Sequence, residues 1–139
     1  MLKTYDPKKI LVSLGNHAVT GFSDGTFVSV EPNGDGVTSK TGCDGEKVRS
    51  LDPDGSYTVT VTLLQNSPSV AWCQSRYDLD KATGDGMFPV LVKDLKGGML
   101  FSAVDAWVVS PPNRAFNKDV GDREIKIETG EATLKGEAS

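Results

Sequence analysis

The run from Ser56 to Gln65, SYTVTVTLLQ, alternates strictly. Tyr57, Val59, Val61 and Leu63 fall on one face of a strand and Thr58, Thr60, Thr62 and Leu64 on the other, because successive side chains of extended backbone point to opposite sides. One face packs on a core while the other stays polar yet uncharged. The same period marks strands at Lys8 to Gly15 (Ile10, Val12 and Leu14 against Lys9, Leu11 and Ser13), Thr26 to Glu31 (Phe27, Ser29 and Glu31 against Val28 and Val30) and Met87 to Leu95. It returns at Arg123 to Glu128, where Ile125 and Ile127 alternate with Glu124, Lys126 and Glu128, and a further short strand is expected at Ala132 to Lys135.

Gly98 to Ser110 is the most apolar stretch. Met99, Phe101, Ala103, Asp105, Trp107 and Val109 share one face and Leu100, Ser102, Val104, Ala106 and Val108 the other. Both faces read as buried, which predicts a central strand with Trp107 in the core. Turns are expected at Asn16-His17, Ser23-Asp24-Gly25 and Lys96-Gly97-Gly98, and Ser110-Pro111-Pro112-Asn113 breaks the pattern.

A single stretch reads as helix. Ser67 is placed to cap it, Pro68 suits the first helical position, Val70, Cys73 and Tyr77 follow at helical spacing, and Gly84 ends it. Trp72 and Arg76 sit four apart and have the spacing to stack, although an ordinary half-buried tryptophan is the preferred reading.

Between Pro32 and Gly55 the chain turns rich in Gly, Asp and Glu, with Val37, Val48 and Leu51 as its only aliphatic residues. Such a stretch cannot build a core. A long irregular segment inside a small domain is usually functional, so Asn33 to Asp54 reads as a projecting arm or loose hairpin that orders against a neighbour. The 139 residues otherwise suit one domain, 1–139.

Charge and composition narrow the chemistry. A net charge of −4 disfavours a surface built to grip phosphate backbones. No apolar run approaches the roughly 20 residues of a membrane helix, so no membrane insertion is expected. The N-terminus MLKTYDPKK lacks the apolar region of a secretory signal, which predicts synthesis in the cytoplasm and free thiols at Cys43 and Cys73.

Candidate motifs fail on detail. Gly34 to Thr41, GDGVTSKT, misses the phosphate-binding pattern because Ser39 replaces its second glycine and loop residues follow where a helix must start. Asp52-Pro53-Asp54-Gly55 cannot supply both the glycine and the distal glutamate of a calcium loop. His17 is the only histidine, has no sequence-adjacent carboxylate or cysteine partner, and reads as a turn residue. Asp24, Asp35, Asp44, Asp54 and Asp85 precede glycine or lie in turns, where carboxylates bond nearby backbone. No catalytic, cofactor-binding or metal-binding residue is assigned.

Taken together, TYDPKKILVSLGNHAVTGFSDGTFVSVEPNGDG at Thr4 to Gly36, the helix from Pro68, and FPVLVKDLKGGMLFSAVDAWVVSPPN at Phe88 to Asn113 resemble the tail tube proteins of contractile-tailed phages. The resemblance covers most of the chain and extends to the inner tubes of type VI secretion systems and contractile bacteriocins. It implies a mainly β fold, an antiparallel β-sandwich or barrel with one flanking helix. It also implies a non-enzymatic virion subunit that forms hexameric rings, stacks them into a tube, meets sheath and baseplate proteins, and lets DNA pass without specific binding. The arm would reach the adjacent ring, with Asp35, Lys40, Asp44, Lys47 and Arg49 as contact candidates. Lumen candidates are Thr58, Thr60 and Thr62 on one strand and Glu124, Lys126 and Glu128 on another, with the inward face left open.

Two other readings compete. A monomeric β-sandwich carbohydrate-binding module is suggested by Trp72, Trp107, Tyr57 and Tyr77 among acidic loops, and a hydrolase would be centred on His17.

Overall fold

The computed structural model describes residues 10–23, 27–95, 98–110, 114, 116, 118–119 and 121–135. Lys8 and Lys9, the turns expected at Asp24-Gly25 and Lys96-Gly97, and the break at 111–113 lie outside them. In chain order the elements are β1 (Ile10–Leu14), β2 (His17–Ala18), β3 (Val28–Pro32), β4 (Val37–Thr41), β5 (Lys47–Leu51), β6 (Ser56–Leu64), α1 (Pro68–Thr83), β7 (Phe88–Asp94), β8 (Leu100–Val108) and β9 (Asp122–Lys135). Among the described residues, seven strands form one antiparallel sheet in the order β2-β1-β7-β8-β9-β6-β3, while β4 and β5 pair only with each other. Among the described residues the fold is mainly β with one helix, as the sequence pattern predicts.

The sheet curls on itself. Val19 N–H donates to the Val12 carbonyl beside β1, and a few residues later Ser23 N–H donates to Thr62 and Gly21 accepts from Leu64 on β6. One short segment therefore spans from one margin of the sheet to the other and closes the curl over an apolar interior. That interior holds Val59, Val61 and Leu63 of β6, Ile125 and Ile127 of β9, Phe101 of β8, Val90 and Val92 of β7, and Leu14 of β1. Tyr57 meets Phe101 edge-on at 5.2 Å.

The helix begins and ends as its sequence dictates. Ser67 accepts the Ser69 N–H and also donates its hydroxyl to the Thr20 carbonyl at 2.5 Å, which satisfies an otherwise open amide and ties the helix start to the chain after β2. Gly84 closes it at φ 77°, a left-handed backbone that glycine adopts without steric cost. Val70 and Cys73 face the core, and Trp72 is half-buried with the Arg76 guanidinium 5.3 Å from its ring, so the stack and the partial burial coexist.

β8 is central, but it is not buried on both faces. Its inward residues are Phe101 and Ala103, then Ala106 and Val108, so the inward parity switches between them. The switch is a bulge, accompanied by a register shift on β7 between Phe88 and Val90 and one on β6 between Ser56 and Thr58. Val104 is left 78% exposed, Asp105 is exposed, and Trp107 is half-buried outside the core cluster. A strand with an inserted residue shows apolar side chains at both parities while burying only one face.

β9 makes the matching switch. Ile125, Ile127 and Thr129 are buried, and beyond Gly130 and Glu131 the inward contact passes to Ala132. The two strands expected at Arg123 to Glu128 and Ala132 to Lys135 are thus one, joined through this bulge. His17 also departs from expectation: it lies in β2 opposite Leu14, and the turn is made by Gly15 and Asn16.

Candidate assembly surfaces

The face of the sheet turned away from the core is built from the residues that alternate with it. Thr58, Thr60 and Thr62 of β6 stand directly opposite Glu128, Lys126 and Glu124 of β9, and Glu31 and Ser29 of β3 extend the first two rows. Both groups of lumen candidates thus share one contiguous face. Toward the other margin the same face carries Leu91 and Lys93 of β7 and Leu11 of β1, with Leu11 50% and Leu91 39% exposed. Opposite charges alternate along the outward side of β9, which keeps that row soluble without making it strongly basic.

The sheet margins are short. β3 pairs with β6 on one side and with no second strand among the described residues. Because Asn33 N–H and the Phe27 carbonyl bond to β6, the backbone of Val28, Val30 and Pro32 turns outward, and proline at an outward position removes a donor. At the far margin β2 covers only Ser13 and Leu14 of β1. Such margins are templates for pairing with another chain.

The β4–β5 hairpin is exposed along its whole length. Val37 pairs with Leu51, Ser39 with Arg49 and Thr41 with Lys47 on one face, and Thr38 with Ser50 and Lys40 with Val48 on the other. Val37, Val48 and Leu51 are 56%, 63% and 72% exposed. A two-stranded hairpin without a packed face is marginal in water, so apolar side chains held open to solvent point to a covering partner.

Its neck is nevertheless well tied. Asp52 accepts the backbone N–H groups of Asp35 at 2.8 Å and Asp54 at 2.9 Å, which lowers its pKa below the usual 3.8. Asp54 accepts the N–H of Ser56, and Asn33 bonds to both Ser56 and Thr58 side chains. At the tip, Asp44 accepts the Glu46 N–H, the local carboxylate-to-backbone chemistry expected of such turns. The contact candidates are therefore spread: Asp35 in the neck, Lys40 on one hairpin face, Lys47 and Arg49 on the other, and Asp44 at the tip.

Around the helix start, His17 Nε2 lies 2.7 Å from Ser69 Oγ, and the imidazole stacks on Trp72 at 5.1 Å. Ser69 Oγ also accepts the Thr20 N–H, leaving its own hydrogen free for Nε2. Nothing in the sequence spacing signalled this pair, since 52 residues separate its members. Ser69 is completely buried, so its oxygen meets no substrate from solvent, and the contact serves to dock α1 on β2. Burial raises the Cys73 thiol to about 12, while Cys43 is exposed at the hairpin tip, and both are free. The four aromatics of the carbohydrate reading form no common platform: Tyr57, Trp72 and Tyr77 pack on the core, whereas Trp107 belongs to the opposite face.

No protein-family model matches the sequence. The chain is 29% identical over 140 residues to "Structural protein ORF10" of Pseudomonas phage KPP10, covering 95% of this chain and 81% of that protein. Among solved structures, it superposes on a chain of the anti-feeding prophage cap with TM-score 0.64 at 12% identity, covering 98% of this chain and 93% of the other. The chain has a tail-tube-like fold. The same fold recurs in the sheath/tube terminator of the extracellular contractile injection system PVC, with TM-score 0.62 at 10% identity over 97% of this chain and 99% of that one. It recurs again in the PVC sheath-tube complex, with TM-score 0.59 at 13% identity over 96% and 92%. Identities this low speak for the tail-tube-like architecture alone.

Proposed function

We propose that the chain is a non-enzymatic structural subunit of a phage tail tube, a single tail-tube domain over 1–139 that forms hexameric rings stacked into a channel for DNA. One observation carries this reading: a tail-tube-like sheet whose two margins stay short of partners among the described residues is joined to a tied but wholly exposed hairpin with apolar side chains open to solvent. Margin-to-margin pairing closes a ring and removes the edges, and the hairpin is covered by the neighbouring ring. Asp35, Lys40, Asp44, Lys47 and Arg49 then belong to the contact between rings.

Within the ring, the face bearing Thr58, Thr60, Thr62, Glu124, Lys126 and Glu128 lines the lumen, and the helix lies on the outside toward the sheath. A lumen of threonines with mixed charges offers no continuous basic track, so a phosphate backbone slides past it. The subunit is made in the host cytoplasm and resides in the virion tail beside sheath and baseplate proteins. Electron microscopy of the purified protein tests the proposal. Six-fold rings or tubes support it, and separate particles at every concentration, with or without a tail initiation complex, refute it.

A further inference from the structure

Arg123 is 4% exposed, yet its guanidinium meets no carboxylate among the described residues. Nη1 donates to the Asp122 carbonyl at 3.0 Å, Nη2 to Gln65 Oε1 at 3.4 Å, and the Phe116 ring lies 5.3 Å away. A cation withdrawn from water without an opposing charge is costly, and an arriving carboxylate relieves that cost. Phe116 is itself 79% exposed, a large apolar side chain lying over the buried charge. Arg114, Lys118, Asp119 and Asp122, close to Phe116 and Arg123 in sequence, are exposed, and Arg114 Nη2 donates to Gln74 Oε1 at 3.0 Å.

This surface lies at the far end of β6 from the hairpin. The hairpin leaves the sheet where Asn33 bonds to Ser56, and Arg123 pairs with Leu63. At a rise of about 3.4 Å per residue, the separation along the strand is roughly 24 Å. Every residue of β4 and β5 is exposed, so the hairpin does not fold back on its own sheet. Its charges are banded. Asp44 and Glu46 occupy the tip, and Lys40, Lys47 and Arg49 follow on the strands.

Building on the tube reading, we infer that the hairpin tip of one copy seats on the Phe116–Arg123 surface of the next. Asp44 and Glu46 meet Arg114 and Lys118 and come to lie over the phenyl ring, near enough to offset the Arg123 charge beneath it. The strand cations behind them meet Asp119 and Asp122. Two different surfaces of the same chain are joined, and such a heterologous contact, directed from one ring to the next, repeats along the stack.

Charge exchange tests the pairing in the full-length protein. Glu46→Lys and Arg114→Glu each raise the critical concentration for tube assembly by about tenfold, and the double variant recovers most of the loss. Phe116→Ala, at an exposed position, weakens stacking while leaving the melting temperature unchanged. A photocrosslinker attached to Cys43 in assembled wild-type protein marks peptides containing 114–123 of the neighbouring copy. Tubes that form at wild-type concentration in every variant, or crosslinks that map elsewhere, overturn this acceptor while leaving the tube reading intact. A wild-type chain that never assembles overturns both.

Discussion

Asp52 ties the neck of the β4–β5 hairpin to Asp35: its Oδ2 accepts the Asp35 amide hydrogen at 2.8 Å. This bond and the one from Asp54 favour the ionised carboxylate and hold its pKa below 3.8. Because the folded value is depressed, the contribution is fully present above pH 3.8 and is lost as pH falls through the lower folded value. Hydrogen exchange across Val37 to Leu51 therefore accelerates in Asp52→Ala at neutral pH. In the unsubstituted chain the same local opening appears only in strong acid. The global melting temperature stays nearly constant, since the residue is fully exposed and distant from the core.

The bulge in β8 makes two valines of like sequence environment behave differently. Val104 is 78% exposed and Val108 is 4% exposed, although both were expected on the same face. Val104→Lys changes stability by less than about 0.5 kcal/mol, as exposed substitutions usually do. Val108→Lys buries an unpaired charge and costs about 3–5 kcal/mol, or abolishes folding. Chemical denaturation of the two variants separates these outcomes.

That pair also shows where the sequence stops being informative. Strict alternation in β6 and β9 disclosed Val59, Val61, Leu63, Ile125 and Ile127 as core because polar residues held the opposite positions. In β8 the inserted residue put apolar side chains at both parities, and a one-dimensional pattern cannot distinguish that from a strand buried on both sides. The Ser67 and Gly84 caps were legible because each satisfies a local backbone requirement. The His17–Ser69 contact and the burial of Arg123 without a carboxylate among the described residues were not, since each depends on residues brought together by the curl of the sheet. The shared outward face of the Thr58 and Glu124 groups needed the β6–β9 register.

The two cysteines differ in reactivity. Cys43 is exposed, while burial raises Cys73 to about 12, so its thiolate is scarcely populated near neutrality. Titration with a thiol reagent at pH 8 labels Cys43 in the folded chain and both residues only after denaturation. A raised folded pKa also means that the neutral Cys73 thiol favours the native state below the unfolded value near 9. That contribution declines as pH rises from there toward 12.

The hairpin makes no part of the buried core, so its removal separates folding from assembly. A chain lacking Gly34 to Arg49 retains its circular dichroism and a cooperative melt but forms no tubes. Loss of the cooperative transition in that deletion would show that the arm supports the sheet.

Solution mass under assembling conditions tests the tube subunit most directly. Native mass spectrometry or sedimentation is expected to show six copies of the 14.8 kDa chain, followed by multiples of that ring as concentration rises. A species that remains at 14.8 kDa throughout contradicts the account.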